Sequence, residues 1–81
     1  MDESSYRDLA ERLAAYGLSI VAEGAHLRVA NPLSATLAEE ISGHGGRYVT
    51  AWGYELGELG DEIGTAGRLA FLLGASRGAA A

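Results

Sequence analysis

The sequence predicts an α+β domain made of an N-terminal helix, a four-stranded antiparallel meander and a C-terminal helix, with both helices covering one face of the sheet. Three observations lead to this prediction. An apolar stripe with helical spacing opens the chain, glycine-rich turns then separate runs that favour strands, and a second helical pattern follows Asp61. We assign the domain to residues 1–74. Residues 75–81 are expected to be a flexible tail, because ASRGAAA has no large apolar side chain to pack.

The N-terminal helix is predicted over residues 5–16, where apolar side chains recur at steps of three and four. These are Tyr6, Leu9, Leu13 and Tyr16. Such spacing places them on one helix face, which can pack against a sheet. Ser5 stands where an N-terminal cap is expected, and Gly17 stands where a left-handed C-terminal cap belongs.

The first two strands are predicted to form a hairpin across a two-residue turn at Glu23 and Gly24. In this register every cross-strand pair on one face is apolar: Ala22 with Ala25, Ile20 with Leu27, and Leu18 with Val29. The second strand should end at Asn31 and Pro32, since proline lacks the N–H group that a ladder needs.

The segment SATLAEEISG, residues 34–43, fits either a helix or a strand, because both structures place Leu37 and Ile41 on one face. We favour the strand, since the β-prone run from Tyr48 to Trp52 needs a partner. Closing a four-residue GHGG loop then pairs Ile41 with Tyr48 and Leu37 with Trp52.

The glycine run in GHGGRYVTAWG is interpreted as this turn. Gly43, Gly45 and Gly46 supply the positive φ angles that a tight reversal requires. A phosphate-binding loop would place such glycines ahead of a helix, whereas here they precede a run that favours a strand.

The C-terminal helix is predicted to begin after Asp61 as N-terminal cap and to end at Gly74. Its buried stripe is expected to comprise Ile63, Ala66, Ala70 and Leu73. Glycines at 64 and 67 weaken a helix, so this helix is expected either to pack closely on the sheet, which its small residues would permit, or to be weakly formed.

Composition excludes several functions. The chain has no cysteine and no lysine, which removes disulfides, thiol catalysis and Schiff-base chemistry. Its net charge is −5 and its six arginines are scattered, so we expect no nucleic-acid partner. No apolar run reaches the roughly 18 residues of a membrane helix, and the acidic N-terminus does not resemble a signal peptide. We therefore expect a cytoplasmic protein without a membrane partner.

Metal binding and catalysis have little support in the sequence. His26 and His44 lie far apart in the predicted hairpins, so we expect neither a metal site nor any cofactor. No serine stands in a nucleophile elbow, and Glu39 and Glu40 would point to opposite faces of a strand. No catalytic residue is assigned, and the protein is not expected to be an enzyme.

Aromatic residues cluster in the second half of the chain. Tyr48, Trp52 and Tyr54 should share one side of a strand, with Glu39 and Arg47 as polar neighbours. Large aromatic side chains are enriched at protein interfaces, although packing within the sheet and core explains them equally well. We take these five residues as candidate partner-binding residues.

The segments LRVANP and TLAEEISGHGGRYVTAWGYELG resemble small uncharacterised proteins of high-GC bacteria that have a helix, four strands and a helix. Members are often found beside helix-turn-helix regulators, and the resemblance, over residues 5–74, implies an accessory or adaptor role. The matching positions are Leu37, Glu39, Ile41, Trp52 and Gly53. Where those proteins carry an aromatic pair, this chain has a tyrosine followed by a valine, which weakens an aromatic-groove function.

Two functions follow as hypotheses. The first is a non-enzymatic module that binds a protein or peptide, an adaptor or accessory regulatory protein that dimerises through its open sheet face or an edge strand. The second is a small-molecule-binding protein or minor enzyme, in which Glu39, His44 and Arg47 surround an aromatic pocket.

Overall fold

The structure, a computed structural model, describes residues 3–75 and contains a helix, an antiparallel sheet and a second helix. The elements are α1 (Glu3–Ala14), β1 (Ser19–Glu23), β2 (His26–Asn31), β3 (Ser34–His44), β4 (Arg47–Thr50), β5 (Glu55–Glu58) and α2 (Glu62–Leu72). The strands lie side by side in chain order. The α+β class and the element order are therefore confirmed, and the segment from 34 to 42 is a strand.

The sheet has five strands, so the predicted number of four is wrong. The additional strand, β5, lies between Gly53 and Gly60, which adopt φ angles of 93° and 104°. Its own Gly57 makes the segment resemble a loop in sequence. In the structure this glycine sits beside a bulge, because the pairing with β4 shifts between Tyr48 and Val49. An added Cβ at Gly57 would collide with Thr65 of α2, so the position requires a residue without a side chain.

Both hairpins form, but each differs from its predicted register by two residues. Ile20 pairs with Val29 rather than Leu27, and Ile41 pairs with Thr50 rather than Tyr48. The predicted pairing of Leu37 with Trp52 is also wrong, since β4 ends before the tryptophan.

The turn types explain this shift. Between β1 and β2 the turn residues are Gly24, with a φ of 61°, and Ala25 with a negative φ, which is typical of a type II′ turn. Between β3 and β4 only Gly45 and Gly46 form the turn; their φ angles of 61° and 80° are typical of type I′. Because side chains alternate along a strand, a shift of two residues leaves every side chain on its predicted face.

The core lies between one face of the sheet and the two helices. Its buried members come from or flank both helices and all five strands: Leu9, Leu13, Leu18, Leu27, Val29, Ile41, Tyr48, Leu56, Ala66, Leu69, Ala70 and Leu73. The predicted stripe of α1 is confirmed, with Tyr6 and Tyr16 packed at its margins. The opposite face of the sheet is not covered by either helix.

The helix ends are set by local hydrogen bonds. Asp61 caps α2 as predicted, accepting a hydrogen bond from the N–H of Gly64 at 3.1 Å. Ser5 is not the cap of α1, because the helix already includes Glu3. At the far end of α2, the side chain of Asn31 donates to the carbonyl of Leu73 at 2.8 Å, which ties the helix to the turn after β2.

Two further predictions concern the ends of the chain and the membrane. Ala75 packs against the core, and the rest of the predicted tail lies outside the described residues. Within residues 3–75, neither helix is long and apolar enough to cross a lipid bilayer.

Candidate partner-binding surface

Trp52 and Tyr54 lie in the connection between β4 and β5 and form a stacked pair. Their ring centroids are 5.2 Å apart and the ring planes are inclined by 19°. Gly53, with its positive φ, lets the chain reverse between them. The N–H of Thr50 donates to the carbonyl of Tyr54, and its carbonyl and hydroxyl oxygens accept from the N–H groups of Gly53 and Tyr54. The two side chains remain 64% and 44% exposed. Two stacked aromatic rings are therefore presented to solvent.

Glu39 fixes the orientation of the indole ring. The Nε1–H group of Trp52 donates to Oε2 of Glu39 at 2.7 Å, a distance typical of a hydrogen bond to a charged acceptor. Glu39 lies on β3 opposite Val29, on the same face as Ile41 but beyond the end of β4. The carboxylate thus takes the place that Leu37 was predicted to occupy beside Trp52.

The outward face of α2 continues this apolar surface. Ile63 and Phe71 are both mostly exposed, the latter at 74%, and Leu72 is partly exposed. Tyr54, Phe71 and Leu72 border an open groove of about 500 Å³, which is also lined by Gly64, Gly67 and Arg68. An added Cβ at Gly64 would lie 2.5 Å from the carboxylate of Asp61, and one at Gly67 would lie 3.4 Å from the hydroxyl of Tyr16. We call Trp52, Tyr54, Ile63, Phe71 and Leu72 the aromatic surface.

Arg47 lies at the opposite end of β4 from Trp52. Its guanidinium binds Glu55 at 3.2 Å in an exposed ion pair. Glu40, on the neighbouring strand β3, binds Arg28 of β2 at 3.4 Å instead. Arg47 and Tyr54 border a second, polar groove of about 380 Å³ along β5. The arginine is therefore a neighbour of the aromatic surface rather than a part of it.

Tyr48 is wholly buried and lies beneath the sheet, away from Trp52 and Tyr54. Its hydroxyl donates to Oε2 of Glu62 at 2.7 Å, and the same oxygen lies 3.3 Å from the carbonyl oxygen of Ser5 in α1. Burial, together with the negative charge of Glu62, raises the pKa of Tyr48 far above its ordinary value. As a fully buried residue, Tyr48 cannot touch a partner; it supports the surface by joining β4 to both helices.

Glu62 is a buried carboxylate at the start of α2. Burial alone would raise its pKa, but the hydrogen bonds donated by the N–H of Gly60 and the hydroxyl of Tyr48 outweigh this effect, so the pKa lies below its ordinary value. The ionised side chain therefore links the β5–α2 connection to the middle of the sheet.

The polar residues of the small-molecule hypothesis do not converge. Glu39 and His44 point to opposite faces of β3 and are separated by about 16 Å along the strand. Arg47 pairs with His44 across the β3–β4 turn, so both residues lie at the other end of the hairpin from Glu39. The grooves beside α1 and α2 are bordered by none of the three side chains, and the groove along β5 is bordered by only one of them, Arg47.

A different cluster brings His26 beside two carboxylates on the open face of the sheet. Its ring lies 3.6 Å from Glu23 and 3.9 Å from Glu40, and the possible ligand atoms fall within 4.8 Å of one another. Arg28 already forms an ion pair with Glu40, so the group is an exposed network of charges. Sequence reasoning missed it because Glu40 joins from a different strand.

The apolar side chains of α2 are the other feature that sequence reasoning missed. Ile63 was predicted to belong to the buried stripe, but its side chain faces solvent. Leu69, which was not included in the prediction, is fully buried. The signal was present in the sequence: Ile63, Leu69, Phe71, Leu72 and Leu73 are too many and too widely spread around the helix to fit one buried face.

Comparisons with protein-family models, with curated proteins and with solved structures give no match to this chain. The function must therefore be inferred from the geometry of its own residues.

Proposed function

We propose that this chain is a non-enzymatic, homodimeric adaptor or accessory regulatory protein, which binds a protein or peptide partner through the aromatic surface. The partner would present apolar side chains to Trp52 and Phe71 and insert one of them into the groove beside Tyr54. The acidic net charge and scattered arginines of the chain itself disfavour a nucleic-acid partner.

The single observation that carries the proposal is the exposed apolar face of α2 next to a stacked aromatic pair. An amphipathic helix normally turns its polar side to water, as α1 does with Arg7, Glu11 and Arg12. The exposed side of α2 instead carries Ile63 and Phe71. Tyr54, Phe71 and Leu72 border one groove. Exposed apolar surface of this kind marks interaction sites, and aromatic residues often dominate their binding energy.

The residues around this surface favour recognition over catalysis. The nearest carboxylate, Glu39, is engaged by Trp52, and the charged side chains Arg47 and Arg68 are engaged by acidic neighbours. No described side chain next to the groove pairs a nucleophile with a base. A binding role needs only apolar area and shape, which this surface provides.

The test compares two matched variants in the cell that naturally produces the protein. Trp52→Ala combined with Phe71→Ala removes two exposed apolar side chains from the aromatic surface. Leu33→Ala removes one that is 93% exposed in the turn after β2 and does not border the groove. We expect a partner that co-purifies with the wild type and with Leu33→Ala, and is lost from the double variant.

The partner is then purified and titrated against all three proteins. An affinity reduced by about 2 kcal/mol or more in the double variant would agree with loss of an aromatic hot spot. If the double variant binds as tightly as Leu33→Ala, the aromatic surface is not the site and the proposal fails.

A further inference from the structure

The two edge strands of the sheet differ in whether their outward backbone groups are used. In the β1–β2 hairpin, Glu23 and His26 form the hydrogen-bonded pair that closes the turn. Because such pairs alternate along an antiparallel ladder, the backbone N–H and C=O groups of Glu23, Val21 and Ser19 bond to β2. The N–H and C=O groups of Ile20 and Ala22 therefore point away from the sheet. They make no backbone hydrogen bond to another described residue.

β1 lacks most of the features that usually protect an edge strand, and its one charged residue, Glu23, lies at the turn. Its pairing with β2 is regular over all five residues, without a bulge, and the strand contains no proline or lysine. At the other edge, β5 is bulged, and its Leu56 carbonyl accepts a hydrogen bond from Arg68 at 2.7 Å. Strand addition is therefore open at β1 and hindered at β5.

An apolar groove accompanies the free edge. It has a volume of about 590 Å³ and lies between α1 and β1, where Ala10 and Ala14 face Ile20 and Ala22. Tyr6 holds α1 in place above the hairpin by donating a hydrogen bond to the carbonyl of Ala25 and accepting one from the N–H of Gly43. A strand added at β1 would cover this groove.

We propose that the free edge binds a second copy of this chain, with the two β1 strands paired antiparallel about Val21 so that the dimer contains a ten-stranded sheet. This inference specifies the homodimer of the proposed function. In this register Ile20 lies opposite Ala22 of the second copy, and each such pair exchanges two backbone hydrogen bonds. The half-exposed Val21 packs against its own equivalent on the open face.

Charge complementarity favours a second copy as the occupant. In this register Glu23 lies opposite Ser19 of the second copy, so no two like charges face each other. A two-fold axis perpendicular to the sheet also reverses the direction of the second α1. Arg7 and Glu11 both border the groove beside the free edge, and neither makes an ion pair with a described residue in the single chain. In the proposed dimer, Arg7 of each copy would pair with Glu11 of the other.

The test measures the mass of the full chain by sedimentation over a wide range of concentration, for the wild type and two variants of equal charge. Val21→Lys places two lysines against each other at the two-fold axis. Ser19→Lys places each lysine opposite Glu23 of the second copy. We expect a wild-type dimer that Val21→Lys weakens by about tenfold or more and that Ser19→Lys retains or strengthens.

Circular dichroism confirms that both variants fold, since the two positions are exposed in the single chain. A wild type that stays monomeric, or a dimer that survives Val21→Lys unchanged, would overturn the inference. The Trp52→Ala and Phe71→Ala double variant separates the two proposals. If it stays dimeric while losing its partner, the two surfaces are distinct; if it becomes monomeric, self-association belongs to the aromatic surface and the β1 edge is not the interface.

Discussion

The two ends of the sheet leave different groups without partners. At the α1–β1 end, backbone N–H and C=O groups of Ile20 and Ala22 are free, while the helix beside them is charged. At the β5–α2 end the strand edge is hindered by Arg68, and the exposed groups are the apolar side chains of α2. One end therefore suits a partner that adds a strand, and the other suits a partner that adds apolar side chains.

The origin of this difference is local. At the β5 end a glycine stands next to a bulge, which lets α2 approach until Thr65 touches the strand. At the β1 end a regular hairpin leaves room between strand and helix, because the facing residues are largely alanine. The glycine in β5 thus allows close packing at one end of the sheet, and the alanines between α1 and β1 leave a groove at the other.

The change expected to break the β5 end most severely is Gly57→Ala. Its Cβ would overlap Thr65 and approach Arg68, so we expect the free energy of unfolding to fall by about 2–3 kcal/mol. Urea denaturation monitored by circular dichroism measures it.

The matched control is Thr65→Ala, which removes a buried hydroxyl that has no hydrogen-bond partner among the described residues. Thr65→Ala alone should lower the free energy of unfolding by less than Gly57→Ala does. In the double variant, Thr65→Ala should restore part of the stability that Gly57→Ala removes. Strictly additive losses would show that close contact with Thr65 is not the reason for the glycine.

A smaller loss, about 2 kcal/mol, is expected for Glu62→Ala, which leaves the buried hydroxyl of Tyr48 and the N–H of Gly60 without their acceptor. Tyr48→Phe should cost about 1 kcal/mol, since it removes one of these hydrogen bonds and fills the same space. Denaturation at neutral pH compares the two variants. Equal losses would contradict the role assigned to Glu62 at Gly60.

The same carboxylate predicts an acid dependence. Because the pKa of Glu62 is lower in the folded protein than its ordinary value of 4.5, its contribution to stability is present above that pH and disappears as the pH falls through the folded-state pKa. Glu62→Gln should therefore flatten the loss of stability on acidification, measured as denaturation midpoints from neutral pH to the acid range. Wild type and variant with parallel pH profiles would contradict this explanation.

The protection of the β5 edge is tested by Arg68→Ala. This change removes the donor to the Leu56 carbonyl and should reduce stability by about 1–2 kcal/mol. Arg28→Ala is the control, because its ion pair with Glu40 is exposed and contributes at most about 0.5 kcal/mol. If both substitutions lower the free energy of unfolding by the same small amount, the hydrogen bond from Arg68 does not protect the edge of β5.

The smallest effect on stability is expected at the aromatic surface itself. Trp52→Ala should change the free energy of unfolding by about 0.5 kcal/mol or less, because the indole is mostly exposed. Loss of several kcal/mol in thermal or urea denaturation would show that Trp52 serves the fold rather than a partner.

The sequence was sufficient for the two helices and for which strand side chains face the core, because these depend on periodicity, which survives a register shift of two residues. The strand at residues 34–42 was predicted from the need of the following β-prone run for a partner, since periodicity there fitted a helix equally well. The sequence was insufficient for the registers, because they depend on whether one or both turn residues adopt positive φ. It also missed β5, because the close approach of Thr65 that requires Gly57 is a tertiary contact.

The candidate site was predicted only in part. Trp52, Tyr54 and Glu39 lie together, but Tyr48 is in the core, and the contribution of α2 was not foreseen. Aromatic spacing along a strand does not reveal where the strand ends. Since β4 stops at Thr50, Trp52 and Tyr54 leave the ladder while Tyr48 remains in it.

The most direct test of the difference between the two edges is amide hydrogen exchange, measured residue by residue at low and high protein concentration. We predict that the N–H groups of Ile20 and Ala22 exchange rapidly in dilute solution and become protected as the concentration rises, while Val21, bonded to β2, is protected throughout. Exchange at Ile20 and Ala22 that stays rapid at every concentration would contradict a second copy at this edge.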